Sequence, residues 1–352
     1  MSHQQLIVDS VRRILRDLCS KEVADSAEAG CWPAELWQTL EDNGLTLAGI
    51  SEASGGAGGE LADSLVVIRE AAFAAAPLPL AETFIAARLC ELVGVLVPEG
   101  PLTVAQQVMT LQHEEGTYRL QGVLVDVAFA KWCSHVIVVA KDNEQQYLCL
   151  LPLKALTHLT TVSMAGEPRS DLSVDVQLPK KAVTKAFVDN VDIDLIDELW
   201  SFGAITRAVM MSGAMASILD MSVVYATQRH QFGRPIAQFQ AIQQQLAVLA
   251  GEVAVCQRAA DSLVDTIGTI NHLDIAIAKA RINEAVGPAT EIAHQVHGAM
   301  GYTLEHGLNL RTRRLWCWRD EYGNELHWQQ RIGEYVVTRG ADELWSLIIA
   351  AG

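Results

Sequence analysis

Residues 225–247 read YATQRHQFGRPIAQFQAIQQQLA. A long apolar segment ends here and another begins across Gly233-Arg234-Pro235-Ile236, so the stretch is a junction between two helices. Arg229 and Arg234 flank the turn beside Gln231, Gln238 and Gln240. That concentration of donors suits a diphosphate or a polar heterocycle. On spacing alone, a solvated helix–helix connection accounts for the same residues equally well.

Working outward, helical periodicity runs over 197–228, 238–267, 272–297 and 324–349, lengths that suit an antiparallel four-helix bundle. Upstream, the period changes. TYRLQGVLVDV, HVIVVAKD, QQYLCLLPL, LTTVSMA and SVDVQL are short β-rich runs between turn residues, the pattern of an antiparallel sheet. Nearer the start the helical period returns. Ile7, Val11, Ile14 and Leu18 share one face, and Pro33 opens AELWQTLEDNG with Leu36, Trp37 and Leu40 in line. ETFIAARLCELVGVL resumes helix after Pro77 and Pro79. The expected fold is therefore α+β: an N-terminal helical domain over 1–103, a middle antiparallel β domain over 104–190 and a C-terminal helical-bundle domain over 191–352. Between the first helices lies ISEASGGAGGE, residues 50–60. It has no following Lys-Ser/Thr and no strong β run before it, so it reads as a flexible surface loop in preference to a phosphate cradle.

Composition narrows the function classes. The 352 residues carry 26 Lys and Arg against 42 Asp and Glu, a net charge of -16 that repels phosphate backbones and anionic membranes. Nucleic acid is not an expected partner. Cys19, Cys31, Cys90, Cys133, Cys149, Cys256 and Cys317 are scattered, with neither C-x-x-C nor zinc spacing, as in a reduced cytoplasmic chain. Asp9 and Asp17 interrupt the first apolar residues, so no signal peptide is expected there. Arg207 and Asp220 interrupt the most hydrophobic segment, around 203–225, so no membrane span is expected either.

The string R-H-Q-F-G-R-P-I-x-x-F-Q at 229–240 closely resembles a signature of the acyl-CoA dehydrogenases, flavoproteins built as helical domain, β domain, helical domain. A second string, QVHGAMGYTLEH at 295–306, resembles that family's Q-x-x-G-G-x-G-[YF]-T-x-E-[HYF]. LWQTLEDNGLTLAGISEASGGAGGE and APLPLAET resemble its amino-terminal pattern. The resemblance implies FAD as cofactor, an acyl-CoA substrate and electron-transfer flavoprotein as acceptor. It implies that Arg229 pairs with the FAD diphosphate and that Gln231, Phe232 and Gln240 line the dinucleotide of a neighbouring subunit. Gln295 and Gly298 would approach the ADP portion. Ala299 stands where the family has its second glycine.

In this family a carboxylate base removes the α proton of the acyl thioester while the β hydrogen passes to the flavin as hydride. The usual base is the Glu of E-G-[TS], and the ungapped match is Tyr322-Gly323-Asn324: the base position holds Tyr322, while Asn324 joins the implied cofactor contacts. The family's alternative base position, on the helix before R-x-x-F-G, holds Gly203. The W-I-T that packs on the flavin is matched by Asp126-Val127-Ala128, and Trp132 falls several residues too late. These departures resemble short members that assemble with a second acyl-CoA dehydrogenase-like chain into α2β2 heterotetramers, known from bacterial steroid degradation, in which only one chain carries the base. Two alternatives remain open: a non-catalytic structural partner, and a self-sufficient homo-oligomer using Glu321. Against the second, Asp320, Glu321 and Glu325 read as a solvated acidic turn beside Arg313, Arg314 and Arg319, since charge clusters usually face water. Tyr322 would be a poor base, an unperturbed phenol having a pKa of about 10. His297 and His306 lack a third ligand at metal spacing, so no metal is expected.

Overall fold

Apolar faces and the residues that stop helices account for most of the elements. The computed structural model describes residues 3–114, 117–179, 182–188, 191–268, 271–340 and 342–343. The chain divides into two compact units, Met1–Ile68 with Ala76–Gly203, and Arg69–Ala75 with Ala204–Gly352.

The first unit opens with α1 (His3–Leu18), α2 (Lys21–Glu28) and α3 (Ala34–Asp42). Leu36, Trp37 and Leu40 of α3 are buried, as their spacing predicts, and the chain turns at Gly44, whose φ of +68° is left-handed. Next come α4 (Leu61–Ala74) and α5 (Leu80–Leu92). Helix α5 is buried on nearly every side, the arrangement expected of a helix with no continuous polar face.

The sheet follows: β1 (Leu102–Val104), β2 (Met109–Glu114), β3 (Thr117–Ala128), β4 (His135–Asp142), β5 (Gln145–Pro152), β6 (Thr157–Val162), β7 (Pro168–Leu178) and β8 (Val183–Lys185). Its order is β6-β7-β3-β2-β4-β5-β8, with β1 on β4. The antiparallel expectation needs one correction: β1 and β2 both pair with β4 in parallel. The long β3 carries the chain back past β2, so the next strand, β4, starts in the direction of β2. Leu120, Leu124, Val136, Val138, Leu151 and Leu172 form the centre of the sheet's apolar core. A two-stranded ribbon, β9 (Phe187–Val188) with β10 (Val191–Asp192), precedes the long helices.

These are α6 (Leu195–Gln228), α7 (Gln240–Asp265), α8 (His272–His297), α9 (Leu308–Asp320) and α10 (Glu325–Arg339). The short strands β11 (His230–Gln231) and β12 (Arg234–Pro235) form a hairpin between α6 and α7. Asn271 caps α8 by accepting from the Leu273 and Asp274 N–H groups, and Gly298 ends it at φ +58°. The span expected over 324–349 is present as α10, and its residues 341 and 344–349 lie outside the described residues. Helix α9 joins the four expected segments. Its sequence, LNLRTRRLWCWRD, carries no continuous apolar stripe, yet Arg314 is 1% exposed, so tertiary contacts and not hydrophobic period hold it. By length and composition α6 is long and apolar enough to cross a membrane. Ala204, Ala208, Val209, Ala214, Met215 and Ile218 are fully buried, however, as in a core helix.

Candidate functional site

The 225–247 stretch is ordered by a two-residue hairpin. Phe232 at φ +52° and Gly233 at φ +80° form its tip, the primed-turn conformation that matches strand twist. Ile236 donates its N–H back to the Arg229 carbonyl and closes the loop at 2.8 Å. Arg234 lies over the Phe239 ring at 4.3 Å. The hairpin presents its side chains outward: Phe232 is 92% exposed, and Arg229, Gln231 and Gln240 are exposed. Among the described residues, none of the three polar side chains has a hydrogen-bond or ionic partner. The Gln295 side chain, exposed on the last turn of α8, is equally unpaired.

The fold brings these two motifs to one end of the helical unit. One turn before Arg229, Tyr225 stacks on His297 of α8 at 4.6 Å, and His306 meets the His297 ring edge-on at 4.7 Å. Gly298 follows directly, with open space where a side chain would start. His297 donates its Nδ1–H to the Ala293 carbonyl at 2.8 Å, while His294 stacks on Tyr302 at 4.5 Å. Among the described residues no group of three or more His, Cys, Asp or Glu side chains is placed to hold a metal ion.

Burial pushes the pKa of His294, His297 and His306 below the ordinary imidazole value. The unfolded chain therefore takes up protons first as pH falls, and the stability these groups contribute, complete above about pH 6.5, is lost progressively below it. The melting temperature is expected to fall steadily from pH 7 to pH 5, and replacing His297 with Gln should flatten that slope. An unchanged slope would contradict this assignment.

Tyr322, the residue matched to the family's base, lies elsewhere. Arg207 of α6 is 2% exposed, and its Nε donates to Glu321 Oε2 at 2.5 Å. Its guanidinium carbon lies 5.6 Å from the centre of the Tyr322 ring, itself 2% exposed. The solvated acidic turn expected here is thus corrected for Glu321 and Glu325, while Asp320 is exposed as expected. The Glu321 side chain is only 11% exposed because a buried guanidinium draws it inward, and Glu325 is bound by Arg319 instead of water. A carboxylate held this way is poorly disposed to accept an α proton. Gly203, one helical turn before Arg207 on α6, offers no side chain. Asn324 caps α10, its side chain accepting from the His327 N–H at 3.2 Å. At 1.5 Å per residue along α6, Arg207 sits about 32 Å from the end that carries the hairpin. The base position and the hairpin of one chain are therefore separate places.

In the first unit, the glycine-rich loop lies at the surface, as expected, but its backbone is closely packed and hydrogen-bonded. A side chain on Gly56 would meet the Ile50 carbonyl oxygen at 2.2 Å, and one on Gly49 the Glu60 oxygen at 2.4 Å. The N–H groups of residues 55–59 all donate to backbone carbonyls, which leaves none for a phosphate. At the position matched to W-I-T, β3 bulges between Leu124 and Val127, with Asp126 at φ +58° donating its N–H to Asp171 Oδ1. The Trp132 ring packs on Trp32 at 5.3 Å and Phe129 at 6.0 Å.

Comparison with known proteins agrees with this architecture. The acyl-CoA dehydrogenase N-terminal domain model matches residues 1–93, and the C-terminal domain model matches 193–320. Acyl-CoA dehydrogenase IpdE2 of Mycolicibacterium smegmatis is 30% identical over 315 residues, covering 88% of this chain and 91% of its own. FadE34 of Mycobacterium tuberculosis is 27% identical over 313 residues, 85% of this chain and 42% of its own. A chain of the ChsE4-ChsE5 complex from Mycobacterium tuberculosis superposes with a TM-score of 0.83 at 20% identity, covering 97% of this chain and 99% of that one. The chain belongs to the acyl-CoA dehydrogenase family, oxidoreductases acting on CH–CH bonds. Members of this family are flavoproteins.

Proposed function

We propose that this chain is a subunit of an FAD-dependent acyl-CoA dehydrogenase that forms an α,β double bond in a bulky, steroid-derived acyl-CoA, with the base supplied by a partner chain. One observation carries the reading: Tyr322, matched to the family's base, lies against Arg207, and the adjacent carboxylate, Glu321, is bound to that same buried arginine. Among the fold neighbours, the Tcur3481-Tcur3483 steroid acyl-CoA dehydrogenase supports the substrate class, and it and the ChsE4-ChsE5 complex support the heteromeric assembly.

The hairpin residues fit the flavin dinucleotide by their chemistry. Arg229 offers unpaired guanidinium N–H groups to a diphosphate, Gln231 and Gln240 offer amides, and Phe232 offers an exposed ring. Gln295 and Gly298, at the same end, would hold the ADP portion, whereas Asn324, in the distant turn before α10, would meet a second flavin of the assembly. The flavin supplies the hydride acceptor. Because the hairpin lies far along α6 from the base position, these residues would serve a flavin whose ring faces a neighbouring subunit. The proposed partner is a second acyl-CoA dehydrogenase-like chain in an α2β2 assembly, the electron acceptor an electron-transfer flavoprotein, and the compartment the cytoplasm.

The test is the flavin content of Arg229→Ala in the coexpressed assembly. Loss of a charge-assisted contact costs about 1.5–3 kcal/mol, a tenfold to hundredfold weakening of FAD binding, with the melting temperature of the protein portion unchanged. Full retention of FAD would remove Arg229 from the site. Flavin and activity in the chain purified alone would instead favour a self-sufficient enzyme.

A further inference from the structure

We infer that Lys279 is the positioning residue of the base turn: its buried Nζ gathers the carbonyl groups at the end of α9 and in residues 321–324, and so fixes where Glu321 and Tyr322 are presented. The side chain comes from the middle of α8 and is fully buried. Its nitrogen lies 3.3 Å from the Trp318 carbonyl oxygen, 3.1 Å from that of Arg319, 3.2 Å from that of Gly323 and 2.9 Å from Asn283 Oδ1. Four acceptors converge on one nitrogen, a demand only an ammonium approaches with its three N–H donors.

The carbonyl groups of Trp318 and Arg319 belong to the last turn of α9, where helical partners run out and the dipole is negative. A cation placed there closes the helix. The chain beyond then takes two consecutive left-handed residues, Tyr322 at φ +53° and Gly323 at φ +92°. A tyrosine in that conformation is strained and persists only where its surroundings determine it. Two further donors hold the same turn. Asn283, one helical turn after Lys279, donates Nδ2 to the Gly323 carbonyl at 3.3 Å, and Trp328 donates Nε1 to the Tyr322 carbonyl at 3.1 Å. Lys279 thus reaches the turn from below through its backbone, while Arg207 reaches Glu321 and Tyr322 through their side chains. Burial pulls the Lys279 pKa down to about 7, with the carboxylates of Glu321, Asp320 and Glu325 opposing the fall and Arg207 adding to it.

This inference rests on the reading that residue 322 occupies the base position, and the experiment separates the two. In Lys279→Met, hydrogen exchange of the peptide covering 320–324 is expected to rise about tenfold, and the Trp328 indole 1H–15N resonance to move. Exchange in α7 should be unchanged. Lys279→Arg, which keeps a cation, should restore both signals. Should Lys279→Met fail to fold, Asn283→Ala gives the same changes at smaller amplitude. Wild-type exchange and an unmoved indole in whichever of these variants folds would overturn the clamp. The kinetic readout is then taken in chains carrying Tyr322→Glu: adding Lys279→Met should lower kcat with KM unchanged. If Tyr322→Glu is itself inactive, the base-position reading fails, and the exchange and indole signals still decide the clamp.

Discussion

Arg207→Met is expected to destabilise the protein by about 3–5 kcal/mol, the largest loss anticipated for any single side chain in the helical unit. The reason is asymmetry in the buried pair. Arg207 and Glu321 are 2% and 11% exposed, so removing the cation leaves a carboxylate with little water to replace it. Glu321→Gln should also be costly, because the amide oxygen still accepts a hydrogen bond but the buried Arg207 guanidinium loses its counter-ion. Replacing both residues with methionine should recover most of the loss, since two apolar groups of similar volume need no partners. Urea unfolding of the three variants measures each step. A loss below about 1 kcal/mol in Arg207→Met would mean that the pair is wetter than its burial indicates.

Tyr322→Glu should install a base at the position proposed to match the family's glutamate. In a mixed assembly whose partner chain has its own glutamate base changed to glutamine, anaerobic bleaching of the flavin by a saturated acyl-CoA is expected to rise by a factor of about 10²–10⁴ when Tyr322→Glu is introduced, the usual contribution of a positioned general base. The backbone conformation presents no new obstacle, since the present residue is already a non-glycine at φ +53°. Arg207 becomes the competitor, lying close enough to the present ring to bind the new carboxylate instead of Glu321. No gain in bleaching in an assembly that retains its flavin would mean that the turn does not face the acyl chain, and the proposed division of labour would fall.

The order of helices, strands and helices was legible because apolar spacing changes from a helical to a two-residue period and back. Helix α8 was located to its ends, 272–297, by that periodicity alone. The hairpin residues were legible for a different reason. Arg229, Gln231, Phe232 and Gln240 lie within one short string, so local sequence already fixes that they share a turn.

The base turn was read wrongly from the same sequence. Asp320, Glu321 and Glu325 among arginines look like a solvated surface, and the arginines nearest in sequence gave no sign of Arg207, which arrives from 114 positions away. Lys279 was missed altogether. In sequence it is one lysine in a helical stretch, and nothing local says that carbonyl groups 39–44 residues downstream will converge on it. Helix α9 escaped notice for a related reason, because arginines replace much of its apolar stripe and its burial depends on neighbours.

By itself, then, the sequence determined the kind of fold and the family motifs, since these follow from short-range periodicity, turn residues and contiguous strings. Only the tertiary structure decided which charges meet. Whether a carboxylate is a free acid on the surface or the bound counter-ion of a buried guanidinium depends on contacts between distant segments, and desolvation makes that difference decisive for its chemistry.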